Sequence, residues 1–354
     1  MATFGGGVSV RRGWLVLVWG ACLWTAPAEA QSLPMPRLPM EQFDVLVPSA
    51  RVSGAPGSMV AKPSTCRTAA PSDVRRRLVN VAVQEWAYFG FPVVERASLE
   101  TVPQDDDPAV RQRRRPRLPE QEAARLAASI AGYWTATPSA SWAIGRQNQE
   151  WSGPDGIGAR WQYPWSAAFI SWVMCEGGLG DPSQFQRAVA HHTYIDQAIR
   201  ARTSGDARAA YSAYEVGEAA VEPGDLLCSA RRPAYPTVAA RRLRLGEGAR
   251  THCDIVVRVD AQTTDILAIG GNVRARVSLK ILPGTKVQGI VRPQAISLGR
   301  RGLSAFAHLK LRAPSVALTA FDSSPTIAAS QCHVPVPAPL ASLVAPGRAR
   351  LTTC

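Results

Sequence analysis

The sequence predicts an α+β domain whose sheet is antiparallel. Two observations carry this. Apolar residues recur at helical spacing in segments between Asp73 and Ala201, one of them apolar nearly all round. After Pro223-Gly224 the character changes to a succession of short strands rich in β-branched residues. Helices first and sequential strands afterwards favour α+β over an alternating α/β architecture. At 354 residues and 46% hydrophobic content the chain can bury a substantial core, while 28 Pro and 28 Gly imply long irregular stretches.

Taken in order, residues 1–30 read as an export signal. Arg11-Arg12 supply the positive region, and Trp14 to Trp24 an apolar core too short to span a bilayer. Ala28-Glu29-Ala30 gives a small-x-small cleavage site. A lipoprotein reading at Cys22 meets a poor lipobox in Trp19-Gly20-Ala21, and Arg11-Arg12-Gly13-Trp14-Leu15 loosely resembles a twin-arginine signal. Residues 31–72 are rich in Pro, Ser and Ala and read as a linker. The folded domain is expected over 73–300.

Its first helix, capped by Ser72 or Asp73, places Leu78, Val81, Ala82, Glu85, Trp86 and Phe89 at helical spacing until Gly90. Residues 99–119 form a charged insertion, with Asp105-Asp106-Asp107 facing the basic run Arg111 to Arg117, which reads as a solvated loop. A second helix spans Glu120 to Trp134. Gly153 to Gly158 is turn-rich, and the next helix begins near Trp165 and ends at Gly177-Gly178. Pro182 to Ala201 predicts another helix, with Phe185, Val189, His192 and Ile199 inward. Strands are expected at Asp225–Cys228, Cys253–Val259, Asp265–Ile269 and Val287–Val291, with an Arg-rich loop, Arg231 to Arg250, between the first two. Residues 301–354 read as a low-complexity tail.

The formal charge is +13, yet the lysines are only Lys62, Lys280, Lys286 and Lys310. This arginine bias fits a GC-rich genome as well as an anionic envelope surface. No helix-turn-helix, RNP or zinc-finger pattern accompanies it, so nucleic acid is not an expected partner. No later apolar run is long enough for a transmembrane helix, and a periplasmic location follows from the signal. Removal of Cys22 leaves Cys66, Cys175, Cys228, Cys253, Cys332 and Cys354 in a compartment that permits disulfides. Their spacing contains no CxxC, so neither a zinc site nor another cofactor is expected. Cys66 and Cys332 could staple the two flanks, Cys228 and Cys253 could pair if their strands are adjacent, and Cys175 reads as core.

The chemistry-bearing residues fall in a significant order. Ser166 opens the buried helix in Pro164-Trp165-Ser166-Ala167-Ala168-Phe169, His252 opens a strand in Thr251-His252-Cys253-Asp254, and Asn272 follows Ile269-Gly270-Gly271. A helix N-terminus presents unpaired N–H groups and a positive dipole end, which favour a developing oxyanion. A histidine on a neighbouring strand can take a nucleophile's proton, and an amide on the next can fix its tautomer. A serine hydroxyl needs stronger base assistance than a thiol. Strand alternation puts Asp254 on the side of His252 and Cys253 on the other, so Asp254, or Asp260 at the strand end, could supply a carboxylate.

These phrases, with Pro223-Gly224-Asp225-Leu226, resemble the NlpC-type/CHAP superfamily of papain-like cell-wall amidases, which carry Cys at the position of Ser166. They are most similar to an uncharacterised bacterial branch, domain of unknown function 2272, across about Asp73 to Arg292. The resemblance implies a papain-like fold with buried N-terminal helices on a small antiparallel sheet. It gives Ser166 the nucleophile position, His252 the base position and Asn272 the orienting position; Asp254, Trp165 and His191 are accessory candidates from their places in the sequence, not from the resemblance. It also implies cleavage of amide bonds in peptidoglycan peptides, which makes peptidoglycan or another envelope peptide or glycan the expected partner.

Plainer roles compete with each of these. Ser166 suits a helix N-cap, Asn272 a turn, and His192 a core position, with His191 beside it not separable from it. Trp161, Trp165 and Trp172 are packing residues, although Trp161 could line a sugar-binding rim. Three functions are therefore open: a hydrolase, a catalytically silent module binding an envelope ligand through the same cleft, and a scaffold acting through Arg111 to Arg117.

Overall fold

In the computed structural model the described residues are 1–2, 34–94, 118–231, 235–295 and 303–330. The expected signal sequence beyond its first two residues, the 99–119 insertion apart from its last two, and Cys332 and Cys354 lie outside them. Those from Pro34 onward belong to one unit.

The helices are α1 (Met40–Phe43), α2 (Pro71–Tyr88), α3 (Glu120–Trp134), α4 (Ala140–Trp151), α5 (Ser166–Glu176), α6 (His191–Ser204), α7 (Val238–Arg242) and α8 (Pro325–Ser330). The strands are β1 (Val52–Ser53), β2 (Val60–Ala61), β3 (Val93–Val94), β4 (Tyr211–Tyr214), β5 (Leu226–Arg231), β6 (Thr251–Val259), β7 (Asp265–Val273), β8 (Arg276–Val287), β9 (Ile290–Pro293) and β10 (Leu303–Leu311). An eight-stranded sheet runs β3-β8-β7-β6-β5-β10-β4, with β9 also on β8. It is antiparallel except where β3 joins β8 in parallel. The architecture is thus α+β as expected, but the sheet is mixed and larger than the small antiparallel one the sequence suggested.

Helix α5 is buried along its whole length. Its residues are apolar nearly all round, so no face prefers water, and it packs against α2, α3, β6 and β7. Helix α2 begins on Pro71, whose missing N–H costs nothing at a first helical position; neither Ser72 nor Asp73 caps it. On β6 the alternation is clear. Cys253, Ile255 and Val257 enter the main core, whereas Val256 joins Leu227, Ile266 and Val291 in a smaller cluster.

Residues 34–72 are no linker. Met35, Val45, Val52 and Met59 are buried in the core. Arg37 pairs with the buried Glu85 at 2.6 Å, Arg51 pairs with the buried Glu176, and Cys66 is bonded to Cys175 across a separation of 109 residues. That pairing replaces the expected Cys66–Cys332 staple and makes Cys175 more than a core apolar residue. The expected tail also contributes, since β10 sits inside the sheet between β5 and β4.

The Pro223-Gly224-Asp225 phrase is a structural clamp. Asp225 is fully buried and accepts hydrogen bonds from Arg75 (2.9 Å), the Leu311 N–H (3.0 Å) and the Glu222 N–H (3.0 Å), with His308 Nε2 at 2.8 Å. Burial alone would raise its pKa, but the His308 contact and the Arg75 charge outweigh it and hold the carboxyl below its usual range. Gly224 has φ +92°, and a Cβ there would meet Arg75 Cγ at 2.8 Å. The phrase therefore ties α2 to β5 and β10.

Candidate functional site

Three elements bring residues at their starts together. Ser166 is the first residue of α5 and His191 the first residue of α6, so two helix N-termini converge. His252 is the second residue of β6. Ser166 is not the helix cap: Trp165 holds that position, without a side-chain capping bond. Instead Ser166 Oγ lies 2.7 Å from His191 Nε2. On its other side His191 Nδ1 meets the hydroxyl of Tyr194, one turn along α6. The His191 and His252 rings lie 5.2 Å apart, centroid to centroid.

His252 Nε2 is 2.9 Å from Asp254 Oδ1, and Lys280 Nζ donates to Asp254 Oδ2 at 2.8 Å. Lys280 stands opposite Ala268 in the β7–β8 register, and Ala268 stands opposite Val256 on β6. The lysine thus crosses β7 where its side chains are small. A Cβ on Gly270 would lie 1.9 Å from Asp254 Oδ1 and 3.0 Å from His252 Nε2; one on Gly271 would lie 2.5 Å from Phe169 Cβ of α5. The glycine pair is therefore what lets β7 pass between the Asp254 carboxylate and Phe169 of α5.

The protonation states follow from these surroundings. Burial would raise the Asp254 pKa, but the Lys280 ammonium and His252 overcome it and hold the carboxyl far below its usual range. Asp254 is then an ionised, acceptor-only group, so the hydrogen of their bond sits on His252 Nε2. Burial, with His252 and Lys280 nearby, pushes the His191 pKa well below 6.5 despite the opposing effect of Asp254. His191 is neutral at pH 7. Burial, with Asp254, raises the Tyr194 pKa, so its phenol stays protonated.

Of the sequence-predicted residues, Ser166, His191, His252 and Asp254 come together. Asn272 does not join them as the orienting group. It has φ +57° beside the irregularity between Gly270 and Val273, and no hydrogen bond from the described residues reaches its side chain. Left-handed backbone is a conformation asparagine tolerates better than most residues, so it acts as a turn residue. The partner of His252 Nε2 is Asp254. Trp165 is also corrected: it is buried between Phe89 (5.9 Å) and Tyr133 (5.8 Å) and packs the core. Asp260 pairs with Arg258 at 3.0 Å. Cys253 pairs with Cys228, its register partner on β5. His192 Nδ1 lies against the backbone of Ala249.

Sequence reasoning missed Tyr194 and Lys280. The one signal for Tyr194 was its i+3 spacing from His191. Lys280 carried the weaker signal of being one of few lysines in an arginine-rich chain.

A family model for uncharacterised proteins conserved in bacteria, domain of unknown function 2272, matches residues 123–311. The chain belongs to this family. The match takes in Ser166, His191, Tyr194, His252, Asp254 and Lys280. Unlike the span expected from sequence, it begins after α2 and runs to the end of β10. Comparison with curated proteins and with solved structures gives no match. Among the described residues no helix is long and apolar enough to cross a membrane, and no group of three or more His, Cys, Asp or Glu side chains is arranged to hold a metal ion.

Proposed function

We propose that this protein is an exported cell-envelope hydrolase that cleaves amide bonds, with peptidoglycan peptides as its substrates and Ser166 as its nucleophile. The observation that carries the reading is the carboxylate behind His252, with His252 Nε2 2.9 Å from Asp254 Oδ1, in a cluster with Ser166 at a helix start. A serine nucleophile needs a histidine oriented and electrostatically supported by such a group. The convergent N-termini of α5 and α6 add backbone N–H groups where negative charge would develop on the carbonyl oxygen. In the reaction His252 takes the Ser166 hydroxyl proton, Oγ bonds to the carbonyl carbon, and His252 returns the proton to the leaving amine. Water then repeats the sequence to release the acid.

Two further features support the setting. The Cys66–Cys175 and Cys228–Cys253 disulfides suit an oxidising compartment, as does the export signal read from residues 1–30. The similarity of the sequence phrases to papain-like cell-wall amidases supports the substrate class.

Ser166 is only 8% exposed, and this favours one alternative, a silent module that binds an envelope ligand over a closed site. The two readings separate in one experiment. Mature protein is treated with a fluorophosphonate probe and, in parallel, with muropeptides. The hydrolase reading expects covalent labelling that Ser166→Ala abolishes, together with muropeptide cleavage. Absence of labelling, with peptidoglycan pull-down that survives Ser166→Ala, refutes it in favour of the binding module.

A further inference from the structure

We propose that His191, fixed by Tyr194, donates to Ser166 Oγ and so cannot be the serine's base, which leaves that role to His252, the other imidazole of the cluster. The proposal rests on the reading of Ser166 as a nucleophile for its consequence, though not for the hydrogen-bond assignment itself.

The polarity is set at Tyr194. Its side chain is 1% exposed, and among the described residues its hydroxyl has a single polar partner, His191 Nδ1. If the phenol accepted a proton from Nδ1, its own O–H would be buried without an acceptor, a state that costs about 1–3 kcal/mol. If it donates to Nδ1, the hydroxyl is satisfied. The second arrangement leaves Nδ1 without a proton. A neutral imidazole whose Nδ1 accepts carries its hydrogen on Nε2, and that atom lies 2.7 Å from Ser166 Oγ. His191 is held neutral by burial and by His252 and Lys280, so a doubly protonated ring, which would again orphan the phenol, is disfavoured.

His191 is therefore wired as a donor and is unable to act as the base. Its Nε2–H turns the Ser166 proton away from itself, so the base has to be the other imidazole of the cluster, His252, whose Nε2 is bonded to Asp254. When that proton leaves, the Nε2–H bond becomes a charge-assisted bond to the alkoxide, and such bonds are roughly twice as strong as neutral ones. A thiolate forms without this assistance; a serine does not. His191 is thus a positioning residue that lowers the cost of ionising Oγ. It answers the requirement created by serine at a position where the similar amidases carry cysteine.

Two measurements on the full mature chain test this. Long-range ¹H–¹⁵N correlation spectra at pH 7.5 should show His191 with a bare Nδ1 and a protonated Nε2. Tyr194→Phe should mix its two tautomers. A protonated Nδ1 in the wild type overturns the proposal. In fluorophosphonate labelling, His191→Gln keeps an N–H donor and should stay within about tenfold of wild type. His191→Ala should lose about 10²–10³-fold, the scale of removing one preorganised donor. His252→Gln, which keeps no base, should be inactive. If His191→Gln is as inactive as His252→Gln, His191 is the base and the proposal fails. An unlabelled wild type with the expected tautomer refutes the nucleophile reading while upholding the hydrogen-bond assignment.

Discussion

Replacing Gly270 by alanine should destabilise the protein by about 2–4 kcal/mol, and the structure says why. The new Cβ would fall 1.9 Å from Asp254 Oδ1 and 3.1 Å from its Cγ. Clearing even a 3.0 Å contact requires a relative shift of about 1.1 Å, well beyond what close packing tolerates without cost. Strand β7 has little freedom to retreat, because Gly271 is already tight against Phe169 on the other side. Asp254 is held by His252 at 2.9 Å and Lys280 at 2.8 Å. A shift of that size breaks at least one of these bonds. Overpacking costs about 1–3 kcal/mol, and a lost hydrogen bond to a charged group about 1.5–3 kcal/mol. Partial relaxation keeps the sum below the simple total. Equilibrium urea unfolding at pH 7.5 measures it. Gly145→Ala is the control: Gly145 lies exposed inside α4 with nothing within 4 Å of its added Cβ, so that change should stabilise by roughly 0.5–1 kcal/mol. If Gly270→Ala unfolds within 0.5 kcal/mol of wild type while Gly145→Ala behaves as expected, the tight passage of β7 over Asp254 is wrong.

Two other outcomes follow from the same geometry. The Cys66–Cys175 bridge closes a loop with separation 109 and Cys228–Cys253 one of 25, so loop-closure entropy puts their removal by paired Cys→Ala changes at about 4.8 and about 3.5 kcal/mol. The reverse order in urea midpoints would show that strain or residual structure, and not chain entropy, dominates. Because His191 is held well below its usual 6.5, the unfolded chain takes up a proton below that pH that the folded chain refuses. Stability should therefore fall as the pH drops, by about 1.4 kcal/mol between pH 7.5 and 5.5 relative to His191→Gln. Parallel unfolding curves for the two proteins across that range would contradict a buried neutral His191.

Much of the site was legible because its signals are local. Pro-Trp-Ser before a run with no polar face marks a buried helix start, and a His and an Asp two apart on a β-branched strand share a side by alternation alone. What failed was anything set by distant partners. Apolar spacing from Phe185 to Ile199 suggested a helix from Pro182 with His192 inward; the helix in fact starts at His191. That one shift of start decides which histidine meets Ser166, and no local pattern encodes it. Residues 34–72 lack periodicity because they are held by long-range pairs, Arg37 to Glu85 and Arg51 to Glu176, and by a disulfide. Strand β10 does carry the alternation of a strand: Ala307, Leu309 and Leu311 join the apolar cluster, while His308, on the other face, is buried against Asp225. Its small residues and its Ala- and Pro-rich surroundings masked it as a tail.

The Asp254–Lys280 pair also changes what the missing amide means. An asparagine behind a catalytic histidine supplies an oriented acceptor without net charge. Asp254 supplies the acceptor, but Lys280 at 2.8 Å cancels most of its charge, so the buried pair is formally neutral. Viewed from His252, aspartate plus lysine does the orienting work that sequence had assigned to Asn272. It does not give the imidazolium the full support of an unshared carboxylate. On the hydrolase reading, the additional stabilisation that a serine demands then has to come from groups acting directly on Oγ and on the carbonyl oxygen. The donor His191 meets the first need and the converging starts of α5 and α6 the second. Lys280→Met separates these contributions. It leaves Asp254 charged beside His252, so it should raise the basicity of His252 and leave the polarity of the His191–Ser166 bond unchanged. A catalytic pH profile that moves upward with no change in the His191 tautomer would fit that division of labour; a tautomer that changes with it would not.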